Sequence, residues 1–504
     1  MYYIDDMLNR VTMYRLVLYY LIALILAAFG LSFFHVLPVE PDQLAFSSGL
    51  ILLVCAATNW IFARIFDAAT NVESVYITAL ILALIVSPVA PTDAHGVGAL
   101  IFISVAAMAS KYILAIGKKH VFNPAALAIA LSAIVLDRPA SWWVAGTASM
   151  LPLLLLGGIL MVRKMRRFDL VLSFAFVALI ATVATSHSTS YVTPVIQTFL
   201  HSSFFFLAFV MLTEPLTTPP NARLRIIYGS IVGFLFAPNI HIGTIYFTPE
   251  LALLIGNIFA YIVSPKGRYM LTLQRIEERA LGVREFIFSP DRRFAFEPGQ
   301  YLEWTLSHKR PDARGNRRYF TIASSPEDES VRIGVKFYDR PSSFKHALAS
   351  MSVGSTISAS HLAGSFVMPR QKDAKLVFIA GGIGVTPFLS MIQHLLDKKE
   401  ARPITMLYSN KTLADVAYKD VFDSAQSQLG IKTVYSLSAE TAPADGMVLG
   451  PIDRDLILRE VPDYKERTFY ISGPHAMVDA FKQTLVDMGI SRLKIKCDFF
   501  PGFV

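Results

Sequence analysis

The sequence predicts a polytopic α-helical membrane domain of about ten transmembrane helices, followed by a module made of a small antiparallel β-barrel and a parallel α/β domain. Three observations predict it. Hydrophobic residues make up 54% of the 504 residues, charged residues only 17%, and the mean hydropathy is +0.48, which excludes an ordinary soluble enzyme and a disordered chain. Apolar stretches of near-span length follow one another up to about residue 265. Beyond Pro265 charged residues become frequent and apolar runs shorten to strand length.

The apolar stretches are 13–35, 46–63, 75–90, 97–116, 122–136, 148–162, 168–186, 198–213, 225–240 and 247–263. A crossing of a ~30 Å hydrocarbon core takes about 20 residues, so the shorter ones imply broken or tilted helices. Residues 1–37 place polar and charged residues before a span-length run, which is not a cleavable signal pattern. Basic residues fall on alternate connections: Arg10 and Arg15, Arg64, Lys118 and Lys119, the Arg163–Arg167 cluster, Arg223 and Arg225, Lys266 and Arg268, with Arg138 the exception. The positive-inside rule then puts both termini and the C-terminal module on the cytoplasmic side of a multi-pass cell (inner) membrane protein. The net charge of +8 is distributed as a membrane pattern, and nucleic acid is not an expected partner.

Strand-length runs after 265 are 284–288, 301–306, 331–337, 376–380, 404–408 and 468–471. Up to about 370 they come without helices between them, as in a small barrel; beyond 374 they alternate with helix-length segments 387–398 and 475–488, as in a parallel sheet. The expected domains are 1–265, 266–372 and 373–504.

Four segments of the module carry chemistry. Arg318-Tyr319-Phe320-Thr321-Ile322-Ala323-Ser324-Ser325-Pro326 offers a cation for a pyrophosphate, a flat contact for an isoalloxazine and a hydroxyl for N5, from Arg318, Phe320 and Thr321 as alternate positions of a strand, with Tyr319 facing the other way. A strand with a surface Arg and a core aromatic reads the same. Gly381-Gly382-Ile383-Gly384-Val385-Thr386-Pro387 follows an apolar strand and opens a helix, where backbone N–H groups can approach phosphate and Pro387 suits the first turn. Ile471-Ser472-Gly473-Pro474 is a second strand-to-turn segment. The chain ends on Lys496-Cys497-Asp498-Phe499-Phe500-Pro501-Gly502-Phe503.

Together these resemble the ferredoxin–NADP⁺ reductase superfamily over residues 267–504. The resemblance implies FAD held by Arg318, Phe320 and Thr321, with Ser342 and Ser343 of the Arg340-Pro341-Ser342-Ser343-Phe344 turn near its pyrophosphate. It implies NAD(P)H cradled by Gly381, Gly382, Gly384, Thr386 and Pro387, with Ser472, Gly473 and Pro474 beside the nicotinamide. Ser472 stands where many relatives have Cys. Phe500 is the choice to cover the flavin, with Phe499 and Phe503 as alternatives; Thr321, Ser472 and Phe500 are the expected catalytic residues. After the strand 404–408, Ser409 and Lys411 border the ribose, and no acidic residue there selects NADH over NADPH.

The membrane half has its own polar segments: Lys118-Lys119-His120-Val121-Phe122-Asn123-Pro124-Ala125, and Leu212-Thr213-Glu214-Pro215-Leu216-Thr217, followed by Tyr228-Gly229. Such breaks at membrane depth need protein or ligand to satisfy the backbone; helix ends are the plain alternative. These segments resemble the B subunit of the sodium-translocating NADH:quinone reductase and the D subunit of Rnf, on Phe-Asn-Pro-Ala, Thr-[Asp/Glu]-Pro-Leu-Thr and a Tyr-Gly turn. That resemblance implies a membrane flavin, such as riboflavin, near Asn123, Thr213 and Glu214. It also implies an outer FMN joined through phosphate to a threonine. Thr147 is the candidate, although Ser141-Trp142-Trp143 stands where an Asp is expected, so noncovalent FMN or none remains open; a helix N-cap is the other reading.

The expected function is a flavin relay from cytoplasmic NAD(P)H to an outer-side acceptor, such as an FMN-carrying protein. Two cysteines, Cys55 and Cys497, leave no iron–sulfur cluster. His120, His187, His201 and His241 lie mostly at span ends, which disfavours haem. An NAD(P)H:quinone reductase working in the lipid bilayer and a redox-driven ion pump stay open as alternatives.

Overall fold

The structure is a computed structural model of the chain and describes residues 7–8, 11–66, 72–116, 119–186, 192–264, 268–308, 312, 315–339, 341–441 and 447–500. Arg10, Lys118, His187, Lys266, Arg340 and Phe503 lie outside the described residues, as do the side chains of Lys119, Phe499 and Phe500. The chain divides into two compact units, Met1–Gly267 and Arg268–Val504.

The first unit is helical: α1 (Met13–Phe33), α2 (Pro41–Ile65), α3 (Val72–Ile85), α4 (Ala94–Ile113), α5 (Pro124–Leu136), α6 (Leu151–Met165), α7 (Phe168–Ala184), α8 (Val192–Leu200), α9 (Phe204–Phe206, continued as a π-turn over Leu207–Met211), α10 (Ala222–Phe236) and α11 (Pro249–Val263). Side-chain caps set several starts: Thr12 accepts from the Arg15 N–H, Asp93 from Gly96, Asn123 from Ala126, Asn221 from Leu224 and Thr248 from Leu251.

Every apolar stretch contains a helix, but among the described residues four helical segments are long and apolar enough to cross a membrane: Met13–Phe33, Pro41–Ile65, Ala94–Ile113 and Ala148–Met165. A fifth is added if α8 and α9, bent by 53°, count as one span. That is fewer than the ten expected. Capping residues and prolines inside the apolar runs cut them: Asn123-Pro124 starts α5 late, leaving 13 residues, or about 20 Å of helix. Tyr228-Gly229, expected as a turn, lies within α10. Gly229 and Gly233 there let α10 approach α7 closely, since a Cβ would sit 2.6 Å from the Leu170 carbonyl and 2.4 Å from that of Phe174.

Hydrogen bonds sort the helix ends into two sets. At one end Arg15 meets Glu73 at 2.8 Å, Lys111 the Ser74 carbonyl at 2.9 Å, Tyr112 the Asn59 side chain at 2.8 Å and Arg225 Asp169 at 2.6 Å. At the other, Trp143 Nε1 donates to the Ala83 carbonyl at 3.1 Å, the Trp142 N–H to Ile85 at 3.0 Å, and Asn239 to Thr185 at 2.8 Å. The paired lysine and arginines share the first end.

The second unit begins with β1 (Tyr269–Ala280), β2 (Val283–Pro290), β3 (Tyr301–Thr305), β4 (Arg317–Thr321), β5 (Val331–Lys336), α12 (Ser343–Ala349) and β6 (Thr356–Ala363). The strands form one antiparallel sheet in the order β4-β3-β6-β1-β2-β5. Alternation is visible in β5, where Val331, Ile333 and Val335 enter the core and Arg332, Gly334 and Lys336 do not.

Then come β7 (Leu376–Gly381), α13 (Thr386–Lys398), β8 (Ile404–Asn410), α14 (Lys419–Leu429), β9 (Lys432–Leu437), β10 (Met447–Leu449), α15 (Arg454–Glu460), β11 (Thr468–Pro474), α16 (His475–Asp487) and β12 (Ile495–Phe500). All pairs are parallel, in the order β10-β9-β8-β7-β11-β12. Phe378 and Ala380 pack with Phe388 and Phe422 on one face; Val377 and Ile379 pack with Ile457, Val478 and Leu485 on the other. Burial on both faces is why β7 reads as a continuous apolar run.

Candidate functional site

The parallel sheet reverses its strand order between β7 and β11, and ligands of such sheets bind outside the carboxyl ends at that point. Both glycine turns lie there. A Cβ on Gly384 would stand 2.5 Å from the Gly473 Cα and 2.5 Å from the Ser472 carbonyl; one on Gly381 would stand 2.2 Å from the Met477 sulfur. Gly382 has φ +52° and faces open space, a conformation and an exposure that suit backbone approach to a ligand. Thr386 is buried and donates to the Ile383 carbonyl at 3.3 Å, and Pro387 sits in the first turn of α13.

Ser472 is wholly buried, and its Oγ has no hydrogen-bond partner among the described residues. The β11–β12 register sets Asp498 beside Ser472 and Phe500 beside the exposed Pro474. On the neighbouring β8, Ser409 is half-buried and Lys411, just past the strand, is exposed.

On the barrel, Arg318 and Phe320 lie opposite the core residues Trp304 and Leu302, and both approach Phe344, at 5.3 Å and 5.8 Å. Tyr319 lies on the other face, donating to Glu303 at 2.7 Å. Strand alternation gives Thr321 that second face, at the buried end of β4, so it does not share a side with Arg318 and Phe320.

Arg318 donates to the carbonyls of Gly315 (3.0 Å) and Arg317 (2.7 Å), and pairs with Asp312 at 3.0 Å. Ser342 caps α12, accepting from the Lys345 N–H, while Ser343 bonds His308 and Asp312. Asp312 and His308 were not singled out in the sequence. Asp312 stands 31 residues from Ser343 in a polar loop, and no spacing marks it.

The barrel is clipped to the α/β domain beside these turns. Ser390 donates to the Ser324 carbonyl at 2.7 Å, and Lys336 meets Asp415 at 3.0 Å. Glu327 receives Ser325, His394 and Lys398 at 2.7, 2.7 and 2.9 Å. Partial burial raises the Glu327 pKa, but these three donors outweigh it and hold the carboxyl down at about 2.

In the helical unit, Glu214 is the hub of a polar cluster. It is approached by His120 Nε2 at 3.2 Å, by Asn123 Nδ2 at 2.9 Å and by Thr217 Oγ1 at 3.1 Å. The Asn123 N–H donates to Asn257 Oδ1 at 2.8 Å, and Asn257 Nδ2 donates to the Tyr228 hydroxyl at 3.1 Å. Thr213 turns away, donating to the Phe209 carbonyl at 2.6 Å. His120, Thr217 and Asn257 also line a small cavity with Tyr261 and Ser264. Asn257, a polar residue inside an apolar helix, is the detectable signal that the sequence reading passed over. Thr147 is at the opposite end, half-buried at an N-cap position, but its hydroxyl donates back to the Trp143 carbonyl at 2.7 Å and caps nothing. Among the described residues, no group of three or more His, Cys, Asp or Glu is placed to hold a metal ion.

The flavohemoprotein of Oceanobacillus iheyensis is 28% identical over 228 residues, covering 43% of this chain and 55% of its own length. The NADPH oxidoreductase of Mycobacterium tuberculosis is 25% identical over 252 residues, covering 47% and 62%. The chain thus spans little more than half the length of these curated relatives. Among solved structures, it is similar to the flavohem-like FAD/NAD-binding domain of nitric oxide dioxygenase from Vibrio cholerae (TM-score 0.41, 19% identity, 46% of this chain, 98% of that one). It is likewise similar to a ferredoxin NADP⁺ reductase from Neisseria gonorrhoeae with bound FAD and NADP (TM-score 0.40, 18% identity, 47% and 99%). Residues 378–483 match the sequence model of the oxidoreductase NAD-binding domain and residues 141–266 that of the NQR2, RnfD, RnfE family, so the resemblances carried by the motifs hold in both halves of the chain.

Proposed function

We propose that the chain is an NAD(P)H-dependent transmembrane flavin oxidoreductase, with a membrane flavin domain (1–265), an FAD barrel (266–372) and a nucleotide domain (373–504). Electrons would pass from cytoplasmic NAD(P)H through FAD and membrane-bound flavins to an acceptor at the outer side. The observation that carries this reading is the pair of glycine turns packed against each other at the switch point of a doubly wound sheet, next to a barrel presenting Arg318. Bound FAD supplies hydride acceptance and release of electrons one at a time.

The residues present fit these groups. Gly381, Gly382 and Gly384 leave the backbone bare of side chains, the start of α13 favours a phosphate, and the buried, unpartnered Ser472 hydroxyl suits a carboxamide or ring contact at the nicotinamide. Arg318 would neutralise the FAD pyrophosphate, Phe320 would border the flavin from the same strand face, Phe500 would cover it, and Lys411 would meet the nucleotide ribose. In the membrane unit Asn123 and Glu214 would hold one flavin by amide and carboxylate hydrogen bonds, and Thr147 would anchor FMN at the opposite end. The shared location of Arg15, Lys111 and Arg225 supports a cytoplasmic assignment for the Glu214 end.

The test is the visible spectrum of the purified protein with extraction of its flavins. About two or three flavin equivalents and no Soret band are expected; a haem band, or one flavin only, refutes the relay. Proteoliposomes holding an impermeant acceptor, given NAD(P)H outside, should reduce it without added quinone.

A further inference from the structure

The Arg318 guanidinium is already engaged on several sides. Nη1 serves two carbonyls, and Nη2 stands 3.0 and 3.3 Å from the two oxygens of Asp312. The second of those oxygens also accepts from the Ser343 N–H at 3.1 Å. Asp312 is fastened in return, its own N–H donating to Ser343 Oγ at 2.9 Å. Ser343 Oγ lies 3.0 Å from His308 Nε2, and His308 Nδ1 lies 2.9 Å from the Leu306 carbonyl. A carbonyl can only accept, so His308 Nδ1 carries a hydrogen toward Leu306 and the ring is held against Ser343.

A guanidinium and a backbone N–H converging on one carboxylate are the donor set that a phosphate oxygen uses. We propose that Asp312 is a resident counter-ion of the flavin site, occupying the anion position between Arg318 and Ser343 until the FAD pyrophosphate takes its place. The inference rests on the reading of Arg318 as the FAD cation.

Two facts favour exchange over coexistence. A carboxylate and a pyrophosphate on the same donors repel each other, and an Arg318 neutralised by Asp312 attracts a distant anion weakly. The pair is also partly exposed, 15% for Arg318 and 28% for Asp312, so breaking it costs little. Phe344 stays beneath the guanidinium whichever anion is bound and keeps the cation in place.

The test is Asp312→Asn in the full chain, stripped of flavin and titrated with FAD and with riboflavin by fluorescence. The amide keeps an acceptor for the Ser343 N–H and removes the charge. The variant should bind FAD roughly two- to fivefold more tightly. Riboflavin, which has no phosphate, should bind equally to both proteins, and the gain should vanish in an Arg318→Ala background. Unchanged or weaker FAD binding by Asp312→Asn, beside tight binding by the wild type, overturns the inference and leaves the flavin site standing. Failure of the wild type to bind FAD overturns both.

Discussion

Gly381 and Gly384 belong to one turn, yet replacing each by alanine should have very different consequences. An alanine Cβ at position 384 would lie 2.5, 2.5 and 2.6 Å from the Gly473 Cα, the Ser472 carbonyl oxygen and the Gly473 nitrogen. All three are backbone atoms, and ordinary contact needs about 1 Å more, so β7 and β11 must separate where the nucleotide would bind. Overpacking of this kind costs roughly 1–3 kcal/mol, with the upper end expected because no side chain can rotate away. At about 2–4 °C per kcal/mol for a unit of this size, Gly384→Ala should lower the melting point of the reductase unit by about 6–12 °C. At position 381 the nearest atoms are the Met477 sulfur at 2.2 Å and its methyl at 2.8 Å, on a side chain flexible enough to move. Gly381→Ala should therefore cost under about 1.5 kcal/mol, and Met477→Ala should relieve it while leaving Gly384→Ala unimproved. The assay is thermal release of FAD from the full chain, read by flavin fluorescence, with NAD(P)H binding in parallel. A Gly384→Ala protein melting within about 2 °C of the wild type, or equal damage from both substitutions, would refute a switch point closed by backbone contact.

Three further outcomes follow from the same geometry. Glu327 titrates in the folded chain at about 2, below the ordinary value of about 4.3, so the stability gained from its ionised form is complete above that ordinary value and disappears as pH falls toward 2. The melting difference between wild type and Glu327→Gln should be present at about pH 5 and collapse as the pH falls toward 2; a difference that persists at about pH 2 contradicts it. Asn257→Ala should cost roughly 1–3 kcal/mol by leaving the buried Asn123 N–H unmatched. Thiol labelling of the buried Cys55 in a Cys497→Ser background reports that unfolding. Thr147→Ala should lose the bond to Trp143, about 1 kcal/mol, and any flavin that survives a denaturing gel; a fluorescent band persisting in the variant rules out attachment there.

The alternation of strands and helices after residue 374 was legible because burial on both faces writes itself as an unbroken apolar run, as in Leu376-Val377-Phe378-Ile379-Ala380. Helix length in the first unit was not. Hydropathy averages over a capping Asn and a Pro as if they continued the span, so 122–136 looks like one crossing while the helix within it is Pro124–Leu136. The π-turn over Leu207–Met211 leaves no mark either, since five apolar residues read alike in an α- or a π-register. Tyr228-Gly229 misled for a related reason: glycine in sequence suggests a turn, and only the neighbouring backbone of α7 shows that it serves close helix approach.

Site residues divide by where their partners lie. The first glycine turn was legible because it is local, a strand end and a helix start joined by seven residues, 381–387. Ser472 and Phe500 were expected from family order alone; the strand register pairs Phe500 with Pro474, two residues past Ser472. Asp312 was invisible because its meaning is set by Ser343 and Arg318, while Asn257 stands out as a polar residue in an apolar helix but takes its meaning from Asn123 and Tyr228. Asn123 is 134 residues from Asn257, and no period or motif spans such a distance. The consequence for Glu214 is direct. Its carboxylate is held by Asn123, whose backbone is fixed by Asn257, which is bonded to Tyr228, so three helices besides the segment carrying Glu214 determine its position. A residue held this firmly loses little entropy on meeting a ligand. That preorganisation, more than the acidic side chain alone, distinguishes Glu214 from Glu73, whose partner is a single half-exposed arginine.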